Sequence, residues 1–408
     1  MLTLRTTDSP YAWFRLAVSL ALSTIGGIGL WAGIVTLPVI QREFDIDRAG
    51  AAFPYTMTMI GFAFGGIIMG RMADRFGIMV PMIISTLMLG LGFVAAAYAP
   101  NYWSFVAAQA AIIGLLGVAT TFGPLVADVS LWFNKNRGIA VAIVASGNYL
   151  AGAVWPPVLT QAVAQYGWRT AYIFIGLVCV LTMLPLALLL RPRAPRAETT
   201  MIAANDNPTR GTPLLQGLLV VAGLACCVAM SMPQVHLIAY CGDLGYGAAA
   251  GAKMLSLLLA CGVLSRLASG MIADRIGGTK TLIMGSVLQC LALILYIPFD
   301  GLTSLYLVSA LFGLSQGGIV PSYALIVRDY FPAHQAGTRI SLVLTATVLG
   351  MAVGGWLSGV IFDATGSYKW AFLHGIGWNL LNMAIAGWLL FYKSTRGKPG
   401  LGSSLAAA

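Results

Sequence analysis

One short segment occurs twice in this chain, as Gly70-Arg71-Met72-Ala73-Asp74-Arg75-Phe76-Gly77 and, 200 residues later, as Gly270-Met271-Ile272-Ala273-Asp274-Arg275-Ile276-Gly277. A second, weaker echo has nearly the same displacement. It begins at Trp168 in Trp-Arg-Thr-Ala-Tyr and at Trp370 in Trp-Ala-Phe-Leu. Two echoes in the same order indicate that the chain consists of two related halves.

The composition predicts that both halves lie in a membrane. Hydrophobic residues make up 59% of the chain and charged residues 9%, whereas about 25% of a soluble domain is charged. Windows of about 20 apolar residues predict twelve spans. They lie near 14–40, 51–70, 79–99, 102–130, 138–164, 169–190, 213–240, 250–273, 280–299, 302–327, 339–362 and 370–392.

The longest polar interruption, 191–212, separates six spans from six. The sequence therefore predicts an all-α membrane protein with two pseudo-symmetric six-helix bundles. The expected domains are 1–190, a cytoplasmic linker over 191–212, and 213–408, which includes a short cytoplasmic tail.

The basic residues predict the orientation of the chain. In a soluble protein a net charge of +10 would suggest a nucleic-acid partner, but here the expected partner is the lipid bilayer. Of the 23 Lys and Arg, 17 fall in the N-terminus, the even-numbered loops and the tail, and 5 in the odd-numbered loops. Because basic residues accumulate in cytoplasmic loops, both termini are expected in the cytoplasm of a cell, with the protein in its inner (plasma) membrane.

The repeated segment and the six-plus-six arrangement resemble the major facilitator superfamily over essentially the whole chain. That resemblance implies a gate formed by Asp74, Arg75, Asp274 and Arg275 in the two cytoplasmic loops. Asp128, at the end of span 4, is expected to pair with Arg75 or Arg71 and to hold the cytoplasmic side closed; a static turn is the alternative. In the first copy, Ile78 and Met79 stand where basic residues often follow.

The glycines of the repeated segment have two expected uses. Gly70 and Gly270 would permit close contact between helices, and Gly77 and Gly277 would permit tight turns. A glycine-rich stretch beginning at Gly27 loosely resembles a dinucleotide fingerprint, but it lies inside a predicted span without a βαβ unit. No cofactor is therefore expected.

Arg266 is the one Lys or Arg predicted deep in the membrane, where a permanent charge costs roughly +2.5 to +3.5 kcal/mol on insertion scales. The repeat aligns it with Gly66, a small packing residue. At 1.5 Å per residue it lies roughly 12 Å inward from Asp274. None of the 13 Asp and Glu falls deep in a predicted span. We therefore expect a guanidinium that awaits an anionic ligand; the alternative is an arginine satisfied by carbonyls or by a carboxylate.

The residues around Arg266 and in span 5 resemble one branch of this superfamily in particular. Ser265-Arg266-Leu-Ala-Ser-Gly270, the stretch 133–142 and Ser146-Gly-Asn-Tyr-Leu-Ala-Gly152 are similar to the monocarboxylate and oxalate/formate transporter branch. In that branch a helix-8 arginine binds the substrate carboxylate. The chain departs from the branch in three ways: span 1 has no lysine, span 11 has no lysine, and Gly262 replaces an aspartate. One cationic site favours a monoanion.

Four further residues are candidates for substrate binding: His236 in span 7, Asn148 and Tyr149 in span 5, and Tyr323 in span 10. His236 could also carry a proton, because histidine titrates near neutrality. No catalytic residue and no metal site are expected, since the spans contain no cluster of His, Asp and Glu.

Together these features predict a secondary active transporter, not an enzyme, that works by alternating access and functions as a monomer. Its substrate would be a small organic anion, a monocarboxylate, moved by proton symport or by exchange for a counter-anion. The alternative is an exporter of drug-like or cofactor-like amphiphilic compounds. A receptor is disfavoured because the tail after Lys393 has only 15 residues.

Overall fold

The structure, a computed structural model, describes residues 7–193, 212–331 and 333–396. Across these residues the regular structure is helical, and helices occupy the twelve predicted positions. Eleven of them are long and apolar enough to cross a membrane, and Tyr368–Arg396 is the remaining one. The all-α arrangement of two six-helix bundles is confirmed, whereas most of the predicted linker falls outside the described residues.

The helices of the first half have the following bounds. Span 1 is Pro10–Gly26 and Ile28–Glu43, span 2 is Arg48–Phe76 and span 3 is Met79–Ala97. Span 4 is Tyr102–Ala107, a π-helix Ala108–Gly117, a short 3₁₀ turn Ala119–Thr121, and Gly123–Ser130. Span 5 is Arg137–Ala145 and Gly147–Tyr166, and span 6 is Trp168–Leu189.

In the second half, span 7 is Pro213–Asp243, span 8 is Ala248–Ile276 and span 9 is Gly278–Leu295. Span 10 is Leu302–Gln316 and Ile319–Tyr330, span 11 is Ala333–Thr365, and span 12 is Tyr368–Arg396.

Local sequence explains where several helices begin and end. Spans 1 and 7, which are equivalent in the repeat, each start with a hydroxyl cap followed by proline. Ser9 Oγ accepts from Ala12 N (3.3 Å), and Thr212 Oγ1 accepts from Leu215 N (3.2 Å). Such caps satisfy helix N–H groups that have no intrahelical partner. Gly77 and Gly277 end spans 2 and 8 with φ of 83° and 85°, so the predicted tight turns are confirmed.

Four spans are interrupted near their middle. Span 1 breaks at Gly27, span 4 changes to a π-helix and a 3₁₀ turn, span 5 breaks at Ser146, and span 10 breaks at Gly317 and Gly318. A break frees backbone groups. Within a membrane, irregular backbone is tolerated only where protein or a water-filled cavity satisfies those groups. Gly27, Ser146, Gly317 and Gly318 are buried, so protein surrounds these breaks.

The two halves contact each other through spans 2 and 11 and through spans 5 and 8. We call the side with the repeated loop segments the motif side, and the side with Arg48 and Asp363 the opposite side. Close contacts lie toward the opposite side, where Thr56 Oγ1 donates to the carbonyl of Ala352 (2.9 Å) and Ser256 Oγ donates to that of Ala153.

The motif-side ends of spans 2 and 8 are not packed in the same way. A Cβ added at Gly66, Gly70 or Gly270 would meet no atom within 4 Å. The expectation of close helix contact at Gly70 and Gly270 is therefore wrong for this conformation. The halves are therefore joined by close contacts toward the opposite side, and spans 2 and 8 leave open space at these three glycines toward the motif side.

Candidate functional site

Arg266 lies at the junction of the two halves. From span 8, its Nη1 donates a hydrogen bond to the carbonyl oxygen of Ala145 in span 5 (2.7 Å), and its Nε donates to that of Gly317 in span 10 (3.4 Å). The guanidinium carbon lies 4.3 Å from the ring centroid of Tyr149, within the range of a cation–π contact. The side chain is half-buried.

The helix breaks explain why two carbonyls are available to Arg266. Ala145 is the last residue of one helical segment of span 5, and Gly317 follows the last residue of a segment of span 10. Carbonyls at the end of a helix have no intrahelical donor and carry the negative end of the helix dipole. A cation placed between two such ends is stabilised without a carboxylate.

This geometry corrects one expectation. We expected a guanidinium that awaits an anionic ligand, but Arg266 already donates hydrogen bonds to two backbone carbonyls. This arrangement is the alternative that the sequence analysis gave. Within the described part of the chain, however, no carboxylate pairs with Arg266. The two bonds use two of the five guanidinium N–H groups, so the positive charge has neutral partners only.

Tyr149 and Gln316 flank the same face of span 8 as Arg266. A Cβ added at Gly262, one turn from Arg266, would lie 3.4 Å from Gln316 Nε2 and 3.6 Å from Tyr149 Cδ2. Gln316 Oε1 accepts from Gln234 Nε2 (2.6 Å). Gln316 Nε2 is buried and finds no acceptor among the described residues. The site thus places an unused amide donor close to the tyrosine that stacks on Arg266.

The other two candidates in spans 5 and 10 have different neighbours. The carbonyl of Asn148 accepts from Trp31 Nε1 (3.2 Å), and its Oδ1 lies 3.8 Å from a Cβ added at Gly27, so Asn148 faces the break in span 1. Tyr323 is fully buried and donates to Asn382 Oδ1 (2.7 Å). The structure therefore brings Tyr149, but neither Asn148 nor Tyr323, into contact with Arg266.

His236 lies on the opposite side, in a polar cluster that joins the halves. It is fully buried; Nε2 is 2.8 Å from the carbonyl oxygen of Gly355, and Nδ1 is 3.0 Å from the hydroxyl of Tyr368. In this conformation its partners come from spans 11 and 12, and Arg266 is not among them.

The expected gate residues are divided between two environments. Asp128 pairs with Arg15, through Nε to Oδ2 (2.9 Å) and Nη2 to Oδ1 (3.0 Å), so the expected pairing with Arg71 or Arg75 is wrong for this conformation. The reason is that span 1 packs against span 4 and buries Arg15 beside Asp128, whereas Arg71 and Arg75 are exposed. Arg15 also donates to the carbonyl of Leu190 (3.1 Å) and lies against Trp132 (4.7 Å).

The four charged residues of the repeated segments are exposed: Asp74, Arg75, Asp274 and Arg275. Arg75 lies against the ring of Phe76 (5.2 Å). No ion pair involves these four side chains within the described residues. Their exposure agrees with the open space that spans 2 and 8 leave toward the motif side.

Sequence reasoning missed several residues that the structure places in polar contacts, among them Arg15, which bonds to Asp128, Arg48, which bonds to Tyr368, and the pair Gln234 and Gln316. Two of them had a local signal. Gln234 follows a proline inside an apolar span, and Gln316 precedes Gly317-Gly318, where the helix breaks. Arg15 and Arg48 had none, since each looks like an ordinary basic residue at the end of a span.

Comparison with known proteins establishes the family. The sequence model of the Major Facilitator Superfamily matches residues 19–304 and 250–405, and the chain belongs to that superfamily of membrane transporters. A bacterial homologue of the human lysosomal transporter Spinster, solved in an inward-facing and occupied conformation, superposes with a TM-score of 0.73. That match has 14% identity and covers 95% of this chain and 98% of the other, so it shows the fold.

Two relatives show how far the similarity in sequence extends. The agnestins efflux protein AgnL12 of Paecilomyces divaricatus is 24% identical, over 79% of this chain and 74% of its own length. Monocarboxylate transporter 13 of Bos taurus is 25% identical, over 76% of this chain and 73% of its own length. The relatives thus include both an efflux protein and a monocarboxylate transporter.

Proposed function

We propose that this protein is a secondary active transporter for a small organic anion, a monocarboxylate, that works by alternating access with proton symport or anion exchange. The observation that supports this proposal is the position of Arg266. Its guanidinium lies between the two halves, at the breaks of spans 5 and 10, with carbonyl partners and no described carboxylate.

A carboxylate would be a stronger partner for Arg266 than the carbonyls that it now has. A guanidinium can bind both carboxylate oxygens through two parallel hydrogen bonds, and the opposite charges add a Coulomb attraction that a neutral carbonyl lacks. Arg266 in the second half now bonds to Ala145 in the first. A substrate that replaces this carbonyl would loosen span 5 from span 8, which would couple binding to movement of the halves.

The same site supplies two further features for recognition. Tyr149 offers an aromatic surface beside the guanidinium, and Gln316 Nε2 offers a donor for an acceptor oxygen on the substrate. Gln234 fixes the orientation of the Gln316 amide, because it occupies Oε1. A single cation favours one carboxylate over two. Asn148 and Tyr323 would contribute only if the halves rearrange.

The proposal includes an orientation and a gate. With both termini cytoplasmic and the protein acting as a monomer in the inner (plasma) membrane, the motif side faces the cytoplasm. The conformation described above would then be inward-facing. Asp74, Arg75, Asp274 and Arg275 would form contacts across the motif side when it closes, and these contacts would be absent here.

Uptake into proteoliposomes tests the substrate proposal. We expect Arg266→Ala to weaken the apparent affinity for the transported monocarboxylate in a radiolabelled panel. One charge-assisted hydrogen bond is worth about 1.5–3 kcal/mol, so the loss should be about tenfold to 150-fold. Arg266→Lys should recover part of it, because lysine keeps the charge but lacks the planar fork.

The matched control is Lys253→Ala, which removes an exposed cation from the same span and should leave uptake unchanged. Thermal unfolding of each variant in detergent would separate a binding defect from loss of the Arg266–Ala145 contact. If uptake of every anion survived Arg266→Ala, the carboxylate proposal would be refuted.

A second candidate function is export of amphiphilic compounds, and the similarity to an efflux protein of comparable length supports it. In that case Arg266 would serve mainly to join the halves. Efflux of a lipophilic dye from the same proteoliposomes, unaffected by Arg266→Lys and unaccompanied by any monocarboxylate flux, would favour this second candidate.

A further inference from the structure

A polar cluster joins the two halves on the opposite side, and we call it the lock. It consists of three buried side chains, Arg48, His236 and Tyr368, and two exposed carboxylates, Asp243 and Asp363. Arg48, at the start of span 2, is 7% exposed. Its Nη2 donates to Asp243 Oδ1 at the end of span 7 (3.0 Å), and its Nη1 donates to the hydroxyl oxygen of Tyr368 in span 12 (2.9 Å). One side chain of the first half therefore bonds to two spans of the second.

Asp363 adds a third connection between the halves. Its carboxylate oxygens accept from the backbone N–H groups of Arg48 (2.9 Å) and Ala49 (2.7 Å). These N–H groups belong to the first two residues of the span 2 helix. N–H groups at this end have no intrahelical partner, and together with the helix dipole they stabilise a negative charge. A residue of span 11 thus caps span 2, and this cap is lost if the halves separate on the opposite side.

The hydrogen bonds of the lock fix the protonation of His236. The carbonyl of Gly355 can only accept, so Nε2 carries a proton. In a neutral imidazole the other nitrogen is an acceptor, so Nδ1 receives the hydroxyl proton of Tyr368. The oxygen of Tyr368 in turn receives the N–H of Arg48. Donation runs in one direction, from Arg48 to Tyr368 to His236 to Gly355, and each of these three donations has its acceptor.

A second proton on His236 is incompatible with this order. Nδ1 would become a donor, and the hydroxyl of Tyr368 would lose its acceptor. The imidazolium would also be buried close to Arg48, while Asp243 and Asp363 are already bonded to the side chain and backbone of Arg48. Lys253 of span 8 is exposed. Among the titratable and charged groups around His236, Tyr368 of span 12 contacts the imidazole directly. Arg48 of span 2 and Tyr240 of span 7 contact Tyr368. Asp243 of span 7 and Asp363 of span 11 bond to Arg48, and Tyr55 of span 2 lies beside Gly355.

We propose that His236 is the proton-binding site that controls the lock: the neutral imidazole holds the opposite side closed, and the imidazolium favours its opening. A ligand shifts an equilibrium toward the conformation that binds it better, and here the ligand is a proton. This inference deepens the proposed transport function, because it names the residue through which a proton gradient would act. His236 would thus serve as the coupling site, apart from the carboxylate site at Arg266.

The size of the effect can be bounded. If His236 exchanges its proton like an ordinary histidine in the open state and binds no second proton in the closed state, lowering the pH from 8 to 5 raises the ratio of open to closed molecules by up to about thirtyfold. Any affinity of the closed state for the proton makes the change smaller.

Distances between spin labels on the opposite side would test the lock without any substrate. Suitable positions are Tyr98→Cys and Phe299→Cys, in exposed loops of the two halves, in a background in which the six native cysteines are replaced. In the parent protein we expect the long-distance population to grow on acidification. His236→Gln, whose amide can still donate to Gly355 and accept from Tyr368 but does not titrate, should lack this response.

The chain offers a matched control and a second variant. His374→Gln removes another histidine of the second half, half-buried and bonded to Trp378, and should keep the full response. Tyr368→Phe removes the hydroxyl that links Arg48 to His236. It should raise the long-distance population at pH 8. An unchanged pH response in His236→Gln, or an unchanged distribution in Tyr368→Phe, would overturn the proposal.

The two proposals fail in distinguishable ways. If Arg266→Ala abolishes anion uptake while the label distances do not respond to pH, the carboxylate site stands and the lock proposal falls. If acidification opens the lock in the parent protein but not in His236→Gln, and anion uptake ignores Arg266, the lock stands and the carboxylate proposal falls.

Discussion

The ion pair between Arg15 and Asp128 makes a sharp prediction about stability. The side chains are 1% and 12% exposed, and two hydrogen bonds join them. Asp128→Asn keeps the shape but leaves a buried guanidinium without its counter-charge. Removing one partner of a buried pair costs about 3–5 kcal/mol, whereas replacing both with apolar residues is often neutral or stabilising. We therefore expect Asp128→Asn to destabilise the protein by that amount, and Arg15→Leu with Asp128→Leu to restore most of the loss.

Unfolding of the purified protein in mixed micelles, with increasing SDS, would measure these free energies. A double-mutant cycle of Asp128→Asn with Arg15→Gln should give a coupling energy of up to about 3 kcal/mol. The matched cycle with Arg75→Gln should be additive within about 0.5 kcal/mol, because Arg75 is exposed and lies against Phe76. A larger coupling to Arg75 than to Arg15 would refute this reasoning and restore the gate pairing expected from the sequence.

Two further predictions concern the ends of the bundle. The backbone N–H of Lys135, with those of Asn134 and Asn136, holds the pKa of the Asp8 carboxyl below its usual range. A depressed pKa stabilises the fold above the ordinary value of about 3.9 and loses that effect as the pH falls. The difference in melting temperature between the parent protein and Asp8→Asn should therefore shrink below pH 4; a constant difference would contradict it. On the opposite side, a Cβ at Gly359 would lie 2.8 Å from Ala49 Cα, so Gly359→Ala should lengthen the spin-label distances, whereas Gly377→Ala, in open space, should not.

Much of the fold was predictable because its causes are local. Apolar length predicts where a chain must cross a membrane, and helices occupy the twelve positions predicted in this way. Gly77 and Gly277 were predictable turns, since their positive φ is a conformation that glycine adopts without strain. The displacement of 200 residues between the two loop segments indicated the pseudo-symmetry before any contact was known.

The candidate site was predictable in part. The depth of Arg266 followed from counting residues along a continuous helix, and Ala248–Ile276 is continuous. Its hydrogen-bond partners could not be predicted in this way. They are backbone carbonyls at breaks in two other spans, and a window of apolar residues does not detect such breaks. The position of Gln316 in the site could not be predicted for the same reason. It depends on the helix break that follows Gln316 and on the hydrogen bond from the amide of Gln234.

The sequence alone determined what each segment is: twelve apolar helices, two related halves, one guanidinium deep in a span, and a histidine in span 7. Only the tertiary structure decided what each charged group meets. In the structure Asp128 pairs with Arg15, backbone carbonyls accept hydrogen bonds from Arg266, and His236 lies in the lock with Arg48. The physical reason is that burial of apolar length is a property of a segment, whereas a hydrogen bond is a property of two atoms. Which atoms meet depends on how helices far apart in sequence pack.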